Sequence, residues 1–324
     1  MRLVIDTDTA SDDAVALMLA LAEPGVTVDA ITVVAGNVPL PQAVINALVT
    51  CDVMGQTDVP VHVGRPGPIM RPLDTAQDVH GSNGMGDIDL PTPSRGAHAE
   101  HAVNALVRLA NDAPGTRTLV TLGPLSNIAT ALLLDPDLLG KWEHVWCMYG
   151  VADATGNVSP SAEYNVWADP EAARVVLDHA EPGQVTFVGW DVSRHYAVMT
   201  ASDQAALRAV GTDRAAFVND INAAVARFCE EVTGLPGYDL PDPITMAAAL
   251  RPQLITASED AAVSVISNGP GRGTLLIDRR PGARPAPNVR LVTAVDEAGF
   301  KAMVLDMAAG AGPSPEAVRT TPSA

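Results

Sequence analysis

The chain has 324 residues and a mass of 33.6 kDa, enough for one large domain, and none of its apolar runs reaches the roughly 20 residues of a membrane span. Its formal net charge of −18 at pH 7 argues against nucleic acid or anionic membranes as partners, because binding them needs clustered Lys and Arg. Three cysteines without CxxC spacing indicate reduced, structural thiols, and a start without a secretory leader predicts a cytoplasmic protein.

Strand-like and helix-like segments alternate along residues 1–309. In chain order, the sequence predicts strands at 3–5, 28–35, 59–63, 118–122, 144–148, 185–188, 261–267 and 273–278, and helices at 14–22, 41–54, 97–112, 125–133, 170–179, 201–210, 214–232, 242–250 and 295–308. This order predicts an α/β fold with a mostly parallel central sheet flanked by helices, a Rossmann-like core and a late β-hairpin. We expect a single large domain over 1–309 and a disordered tail over 310–324.

The first predicted strand ends in a group of four carboxylates, Asp6, Asp8, Asp12 and Asp13, where a helix begins. Clustered carboxylates raise one another's pKa values unless a positive charge lies among them, and helix capping explains only one or two of the four. With no His or Cys nearby, all-oxygen ligation indicates a hard cation, and Ca²⁺, with 6 to 8 ligands, fits better than Mg²⁺. Neighbouring helix positions diverge by about 100°, so we expect one carboxylate on the metal and one on a substrate hydroxyl.

Amide and carboxylate residues also follow the other predicted strands. In open parallel sheets, ligands bind beyond the carboxyl ends of the strands, where the loops meet. The segments at those ends are Ala35-Gly36-Asn37, Leu122-Gly123-Pro124 and Met148-Tyr149-Gly150, followed by Gly156-Asn157 and Glu163-Tyr164-Asn165. Side chains of these types suit a ligand that carries several hydroxyl groups.

Several separated motifs, in the right order, resemble those of the inosine–uridine preferring nucleoside hydrolases over roughly residues 2–308. The opening segment DTDTASDDAVA is similar to the family signature, and further matching segments are VVAGNVPL, HGSNGMG at 80–86, TLGPLSNIATAL at 121–132, GNVSPSAEYNVWADPEAA at 156–173 and LPDP at 240–243. The resemblance implies a nucleoside hydrolase-like fold and hydrolysis of the N-glycosidic bond of a ribonucleoside to ribose and free base. It also implies a homodimer or homotetramer.

The resemblance assigns roles to individual residues. It implies Ca²⁺ held by Asp8, Asp13, the backbone carbonyl of Leu122 and Asp242, with a water and two ribose hydroxyls completing the shell. Asp8 would deprotonate the metal-bound water, and Tyr164 would flank the base. The implied sugar ligands are Asp12, Asn37, Asn157, Glu163, Asn165 and Asp242.

One position departs from the family pattern. The family often has a histidine immediately before the late aspartate, where it can protonate the departing base, but Pro241 stands there in this chain. His80, in the long loop 64–96, is the candidate that replaces it, because a similar histidine lies near the base in pyrimidine-preferring members. Phe228 and Tyr238 are further candidates for the base side, and the sequence does not identify the base.

Other functions fit parts of the sequence. The segment IDTDT also matches the DxDxT motif of haloacid dehalogenase-like phosphatases, in which Asp6 would be a nucleophile beside Mg²⁺, but neither Lys141 nor Lys301 has the expected context. A non-catalytic ribose- or nucleoside-binding protein of the same fold is a second alternative, favoured only by Pro241. A third is an enzyme that acts on another ribosylated compound.

Overall fold

The computed structural model describes residues 1–153, 155–281 and 285–310, and it confirms the α/β fold with a mostly parallel central sheet. Apart from Gly310, which follows the last helix, the predicted tail lies outside the described residues. The strands are β1 (Arg2–Thr7), β2 (Thr27–Val33), β3 (Val61–Val63), β4 (Thr118–Thr121), β5 (His144–Met148), β6 (Val185–Val188), β7 (Val198–Thr200), β8 (Gly237–Asp239), β9 (Ile255–Val265), β10 (Leu275–Asp278) and β11 (Val289–Val295).

Nine of these strands form one sheet in the order β10-β9-β11-β6-β5-β4-β1-β2-β3. All pairs from β11 to β3 in that order are parallel, whereas β9 runs antiparallel to both β11 and β10. The predicted late hairpin is therefore present at one edge of the sheet. The sequence prediction omitted β11, which joins this hairpin to the parallel strands, and it omitted the small antiparallel sheet of β7 and β8.

The helices cover both faces of the sheet. They are α1 (Ser11–Ala22), α2 (Leu40–Val53), α3 (Gln77–His80), α4 (Ala102–Asp112), α5 (Ser126–Leu134), α6 (Tyr164–Ala168), α7 (Pro170–His179), α8 (Trp190–Tyr196), α9 (Ala201–Val210), α10 (Asp213–Ile221), α11 (Ala223–Phe228), α12 (Pro241–Leu250) and α13 (Glu297–Ala309). None of the helices in the described ranges combines the length and apolar character needed to cross a membrane.

The single helix predicted at 214–232 is divided into α10, α11 and a π-helical turn at Cys229–Thr233. Asn222 lies at the first break, where its side-chain amide donates to the backbone carbonyl of Val218 at 2.8 Å. Asparagine competes in this way for the hydrogen bonds that would continue a helix. The break matters for function, because α11 and the π-helical turn carry residues that line the cavity described below.

The core lies in two layers, one on each face of the sheet. Leu3 and Ile5 of β1 pack into one layer and Val4 into the other, and all three are fully buried. Alternate residues of a strand point to opposite faces, so a parallel strand covered by helices on both sides is apolar throughout. This packing holds the carboxyl ends of β1, β2, β4 and β5 in one plane, and the loops that follow them form the site.

Candidate active site

A cavity of about 310 Å³ opens beyond the carboxyl ends of the parallel strands. Its polar end is formed by carboxylates and amides, and its apolar end by side chains from α8, α11 and the π-helical turn. The structure brings most of the predicted site residues together along its wall. Those that line it are Asp12, Asn37, His80, Leu122, Asn157, Glu163, Tyr164, Asn165 and Asp242.

Asp8 and Asp13, together with Asp12 and Asp242 of the wall, form what we call the acidic cluster. One carboxylate oxygen each from Asp12, Asp13 and Asp242 lies within 4.8 Å of the others. Asp8 stands outside this closest set, but it is fully buried beside it and its charge contributes to raising the pKa of Asp242. Asp12 lines the cavity and is 8% exposed, whereas Asp13 is fully buried. Their carboxylate oxygens nevertheless converge, so the division of the two between a metal and a substrate hydroxyl stays a prediction.

The carboxylates of the acidic cluster are held in an environment that disfavours their charged forms. Burial first, and then neighbouring carboxylates, raise the pKa of Asp13 to about 6 and that of Asp8 well above its ordinary value. Burial likewise raises the pKa of Asp12 to about 6, with Asp239 adding to the effect. A cation bound among these groups would reverse the shifts, because opposite charge favours the ionised form.

Local structure explains how Asp8 reaches its position. The backbone N–H of Asn37 donates to Asp8 Oδ2 at 2.6 Å. A Cβ atom at Gly36 would lie 2.0 Å from Asp8 Oδ2, and one at Gly123 would lie 2.6 Å from Asp8 Oδ1. The loops after β2 and β4 therefore approach the carboxylate closely only because both positions are glycine.

Asp13 is fixed by the start of α1. It accepts hydrogen bonds from the Thr7 hydroxyl at 2.6 Å and from the backbone N–H of Ala10 at 2.9 Å. Ala10, not Ser11, is the N-cap residue of the helix. The Ser11 hydroxyl is instead 3.0 Å from Nδ1 of His80. Ser11 is thus fully buried behind His80, which lines the cavity.

Asp6, the first carboxylate of the opening motif, does not line the cavity. Its Oδ1 accepts from the Thr32 hydroxyl at 2.5 Å and from the Asn127 side chain at 2.8 Å, and burial raises its pKa to about 7. Lys141 is paired with Asp135 and Lys301 with Asp203 and Glu297. The structure therefore offers neither the exposed nucleophile nor the lysine that the phosphatase alternative requires.

The donor set fits a hard divalent cation. Asp8 Oδ1 and Asp12 Oδ1 are buried and have no hydrogen-bond partner among the described residues. Unpaired buried carboxylate oxygens are costly, and a cation with oxygen ligands would satisfy them. A second cluster of potential metal ligands, which contains two histidines, differs in the hydrogen bonding of its ligand atoms.

His62, His98 and Glu100, on and beside edge strand β3, also bring ligand atoms within 4.8 Å of one another. There, however, the Glu100 carboxylate accepts two hydrogen bonds from Arg108, at 3.0 and 2.7 Å, and His98 Nδ1 accepts the backbone N–H of Glu100 at 3.1 Å. The Glu100 carboxylate and His98 Nδ1 are thus engaged within the protein, whereas Asp8 Oδ1 and Asp12 Oδ1 of the acidic cluster have no partner among the described residues.

Three residues after β5 complete the polar end. The Glu163 carboxylate accepts from the backbone N–H groups of Asn165 at 2.7 Å and Gly150 at 2.9 Å, and burial raises its pKa to about 7. The Asn165 side-chain amide donates to the carbonyl of Leu122 at 2.8 Å and to that of Met148 at 3.2 Å. Glu163 and Asn165 thus fix each other and the Leu122 carbonyl. Asn157 is exposed at the rim.

His80 lies at the last residue of the short helix α3, over the acidic cluster. Its Nδ1 is 3.0 Å from the Ser11 hydroxyl and 3.8 Å from Asp12 Oδ1. Burial lowers the pKa of His80 to about 4, against the raising effect of the nearby carboxylates, so its imidazole is neutral at pH 7. With the Ser11 hydroxyl as donor to Nδ1, Nε2 carries the ring hydrogen and can donate it.

The apolar end is formed by Trp190, Val225, Phe228 and Val232. Phe228 lines the cavity as the sequence suggests, but Tyr238, the other candidate, is only 2% exposed and packs in the core. The sequence did not single out Trp190 from the four tryptophans. Trp190 on α8 and Phe228 on α11 are far apart in sequence, and their spacing does not predict that they line the same cavity.

Three polar residues of this region were also missed by sequence reasoning. Arg194 and Asp239 line the cavity, and the Ser193 hydroxyl donates to Asp239 Oδ2 at 2.7 Å. Burial raises the pKa of Asp239, and the nearby Arg194 guanidinium opposes that shift. Tyr164 also lines the cavity, and its hydroxyl donates to the backbone carbonyl of Asp74 at 2.7 Å.

The chain is similar in sequence to known proteins over most of its length. The sequence profile of the inosine-uridine preferring nucleoside hydrolases matches residues 3–302. The pyrimidine-specific ribonucleoside hydrolase RihB of Escherichia coli strain SE11 is 32% identical over 95% of this chain and 97% of its own length. An uncharacterized protein of Schizosaccharomyces pombe, C1683.06c, is 33% identical over 94% of this chain and 98% of its own.

Solved structures show the same likeness. The plant nucleoside hydrolase PpNRh1 superposes with a TM-score of 0.89 at 29% identity, covering 95% of this chain and 98% of that one. The purine-preferring ribonucleoside hydrolase from Gardnerella vaginalis gives a TM-score of 0.87 at 28% identity, covering 95% and 99%. Both the fold and the resemblance drawn from the motifs are thereby confirmed. The chain belongs to the family of inosine-uridine preferring nucleoside hydrolases, which are N-glycosyl hydrolases.

Proposed function

We propose that this protein is a calcium-dependent hydrolase that cleaves the N-glycosidic bond of ribonucleosides to give ribose and the free base. The observation that carries the proposal is the convergence of Asp12, Asp13 and Asp242 at the polar end of the cavity, beside buried carboxylate oxygens that have no partner among the described residues. Such a set would hold a cation and, through it and its own oxygens, a sugar diol.

The proposed calcium ligands are Asp8, Asp13, the backbone carbonyl of Leu122 and Asp242. All are oxygen donors, and Ca²⁺ accepts more of them, in looser geometry, than Mg²⁺ does. The convergence of Asp12 with Asp13 and Asp242 supports a place for Asp12 beside the ion, on a ribose hydroxyl. When bound, the cation would supply a more acidic water and a fixed position for the diol.

The residues of this chain would then carry the reaction. Asp8 takes the proton of the attacking water as general base. Carboxylate charge near the anomeric carbon stabilises the oxocarbenium character of the transition state. The proposed sugar ligands are Asp12, Asn37, Asn157, Glu163, Asn165 and Asp242.

The base would lie against Tyr164 and the apolar end of the cavity. His80 replaces the histidine that Pro241 removes, and it acts as a hydrogen-bond donor through Nε2, since burial keeps its imidazole neutral at pH 7. The relatives named above differ in preference, one being pyrimidine-specific and another purine-preferring. We therefore assign the ribose and leave the base to experiment.

The test is a panel of purine and pyrimidine ribonucleosides assayed for reducing sugar after chelator treatment and after return of Ca²⁺ or Mg²⁺. We expect no turnover in the stripped protein and recovery with Ca²⁺ that exceeds recovery with Mg²⁺. Full activity without a divalent ion would contradict the proposal. Calorimetric binding of nucleosides with no release of sugar would favour the non-catalytic alternative, and activity on another riboside alone would favour the third alternative.

We also propose a homodimer or homotetramer, on the strength of the family resemblance alone. Sedimentation equilibrium of the full chain at several concentrations would measure the assembly. A monomer at all concentrations would contradict that part of the proposal without affecting the chemistry.

A further inference from the structure

Arg194 is the one Arg or Lys side chain that lines the cavity in the described part of the chain. It lies on α8, and its guanidinium carbon is 4.8 Å from the centre of the Trp190 ring. No described residue forms a hydrogen bond or an ion pair with it. Stacking on an indole fixes the plane of a guanidinium while its N–H groups stay free. The cavity thus contains a permanent cation with unused donors.

The surroundings of Arg194 place it at the apolar end. The same cavity wall includes Phe228, Cys229 and Val232, and the Arg194 charge acts on both Asp239 and the Cys229 thiol. Asp239 does not neutralise it through an ion pair, because its Oδ2 accepts the Ser193 hydroxyl and no contact within salt-bridge distance joins it to Arg194. The cation therefore lies beside Trp190 and Cys229, on the wall that the proposed function gives to the base.

We propose that Arg194 stabilises the base as it leaves, by donating hydrogen bonds to its carbonyl and ring-nitrogen acceptors. This inference rests on the proposed function and deepens it. When the bond between C1′ and the base nitrogen breaks, its electron pair stays on the base, and negative charge spreads to those acceptors. The water oxygen forms the new bond to C1′, its proton goes to Asp8, and the base takes a proton from solvent after departure.

The chemistry of the site favours a cation on the base side in addition to the neutral donor His80. Pro241 offers no side-chain donor at the position where the family often has a histidine, and the acidic cluster would repel a departing anion. A guanidinium keeps its proton near neutral pH and so does not act as a general acid. Its contribution is therefore charge stabilisation, which grows with the charge that the leaving group must carry.

The test compares Arg194→Met with the wild-type enzyme on uridine, inosine and 4-nitrophenyl β-D-ribofuranoside. The nitrophenolate leaves readily without help, so we expect a small loss in kcat/KM on that substrate, about threefold, and about 10²-fold on the two nucleosides. Arg194→Lys keeps the positive charge but loses the planar guanidinium with its several N–H donors. We expect an intermediate loss in kcat/KM of about tenfold on the nucleosides. Arg227→Met, on the exposed surface of α11, is the matched control.

The results separate this inference from the proposed function. A loss that increases with the basicity of the leaving group, in a variant with unchanged thermal unfolding, supports the role of Arg194. Equal losses on all three substrates, or no loss, would overturn it while the wild-type activity still stands. Wild-type protein that cleaves none of the three would overturn the proposed function and this inference together.

Discussion

The two ends of the cavity are built by different means. At the polar end, carboxylates and amides are fixed by short hydrogen bonds to backbone groups, as Asp13 is by Ala10 and Glu163 is by Asn165. At the apolar end, Phe228 and Val232 project from a broken helix, and Arg194 has no hydrogen-bond partner in the described ranges.

The difference indicates a division of labour. Groups held by several backbone bonds keep one geometry for one ligand, which suits a sugar that is common to all substrates. Side chains held by packing can be exchanged with little effect on the fold, which suits a base that differs between relatives. Substitutions at the polar end should therefore affect every substrate, and substitutions at the apolar end should change the order of preference.

The largest effect is expected for Asp8→Asn at the polar end. Loss of the proposed base should lower kcat by about 10³-fold on every nucleoside. Because one charge is removed from a buried group of carboxylates, the metal-free variant should unfold at a higher temperature than the metal-free wild type. Steady-state kinetics and thermal unfolding with and without Ca²⁺ measure both effects.

Asp112→Asn, an exposed position on α4, is the control for Asp8→Asn and should retain kinetics within about twofold. An Asp8→Asn variant that is active on some nucleosides and inactive on others would contradict the assignment of the polar end to the sugar alone. Its selectivity would then show that Asp8 also interacts with the base.

The second prediction changes the substrate instead of the protein. Removal of the 2′-hydroxyl leaves the acidic cluster without one of the ligands it is built to hold, so kcat/KM for 2′-deoxyuridine should be about 10³-fold lower than for uridine. The same ratio should hold for inosine and its deoxy form, because the base end does not contact that hydroxyl. Comparable rates on deoxynucleosides would contradict the assignment of the polar end to the sugar.

The polar end could be predicted from sequence because its residues occur in dense local motifs. Asp8, Asp12 and Asp13 follow one strand within six residues, and Glu163 and Asn165 are separated by one. Parallel strands bring such motifs to one edge of the sheet whatever the details of packing. The roles of Asp6 and Ser11 were harder to infer, because whether a side chain turns toward the cavity depends on the exact start of α1.

The apolar end could not be predicted in the same way. Trp190 and Arg194 lie one helical turn apart on α8, and Phe228 lines the same cavity from α11, which follows the break at Asn222. Apolar residues on helices usually belong to the core, as Tyr238 does here, and periodicity alone does not distinguish the two cases. Only tertiary packing decides which face of such a helix is left open.

The third prediction concerns His80, which lies where the two ends meet. His80→Gln keeps a donor near the same position but loses the ring, and kcat should fall about 30-fold on nucleosides whose base needs a hydrogen bond to leave. The loss on 4-nitrophenyl β-D-ribofuranoside should be smaller. Ser11→Ala should cause a weaker effect of the same pattern, because it removes only the partner of Nδ1.

His195→Gln, on the exposed side of α8, is the control for these variants. If His80→Gln lowers the rates on nucleosides and on the nitrophenyl riboside by the same factor, His80 belongs with the polar end and acts on the sugar. If His80→Gln changes no rate, the proposed role of His80 in stabilising the leaving base is contradicted.

The smallest effect is expected for Phe228→Ala at the apolar end. An aromatic contact with a base contributes about 1 kcal/mol, so KM for nucleosides should rise about fivefold while kcat changes little. Free ribose reaches only the polar end, and its inhibition constant should stay the same. Leu133→Ala, an exposed apolar truncation on α5, is the matched control. Weaker inhibition by ribose in Phe228→Ala would mean that the two ends are coupled through the packing of α11, and that the base and the sugar are not recognised independently.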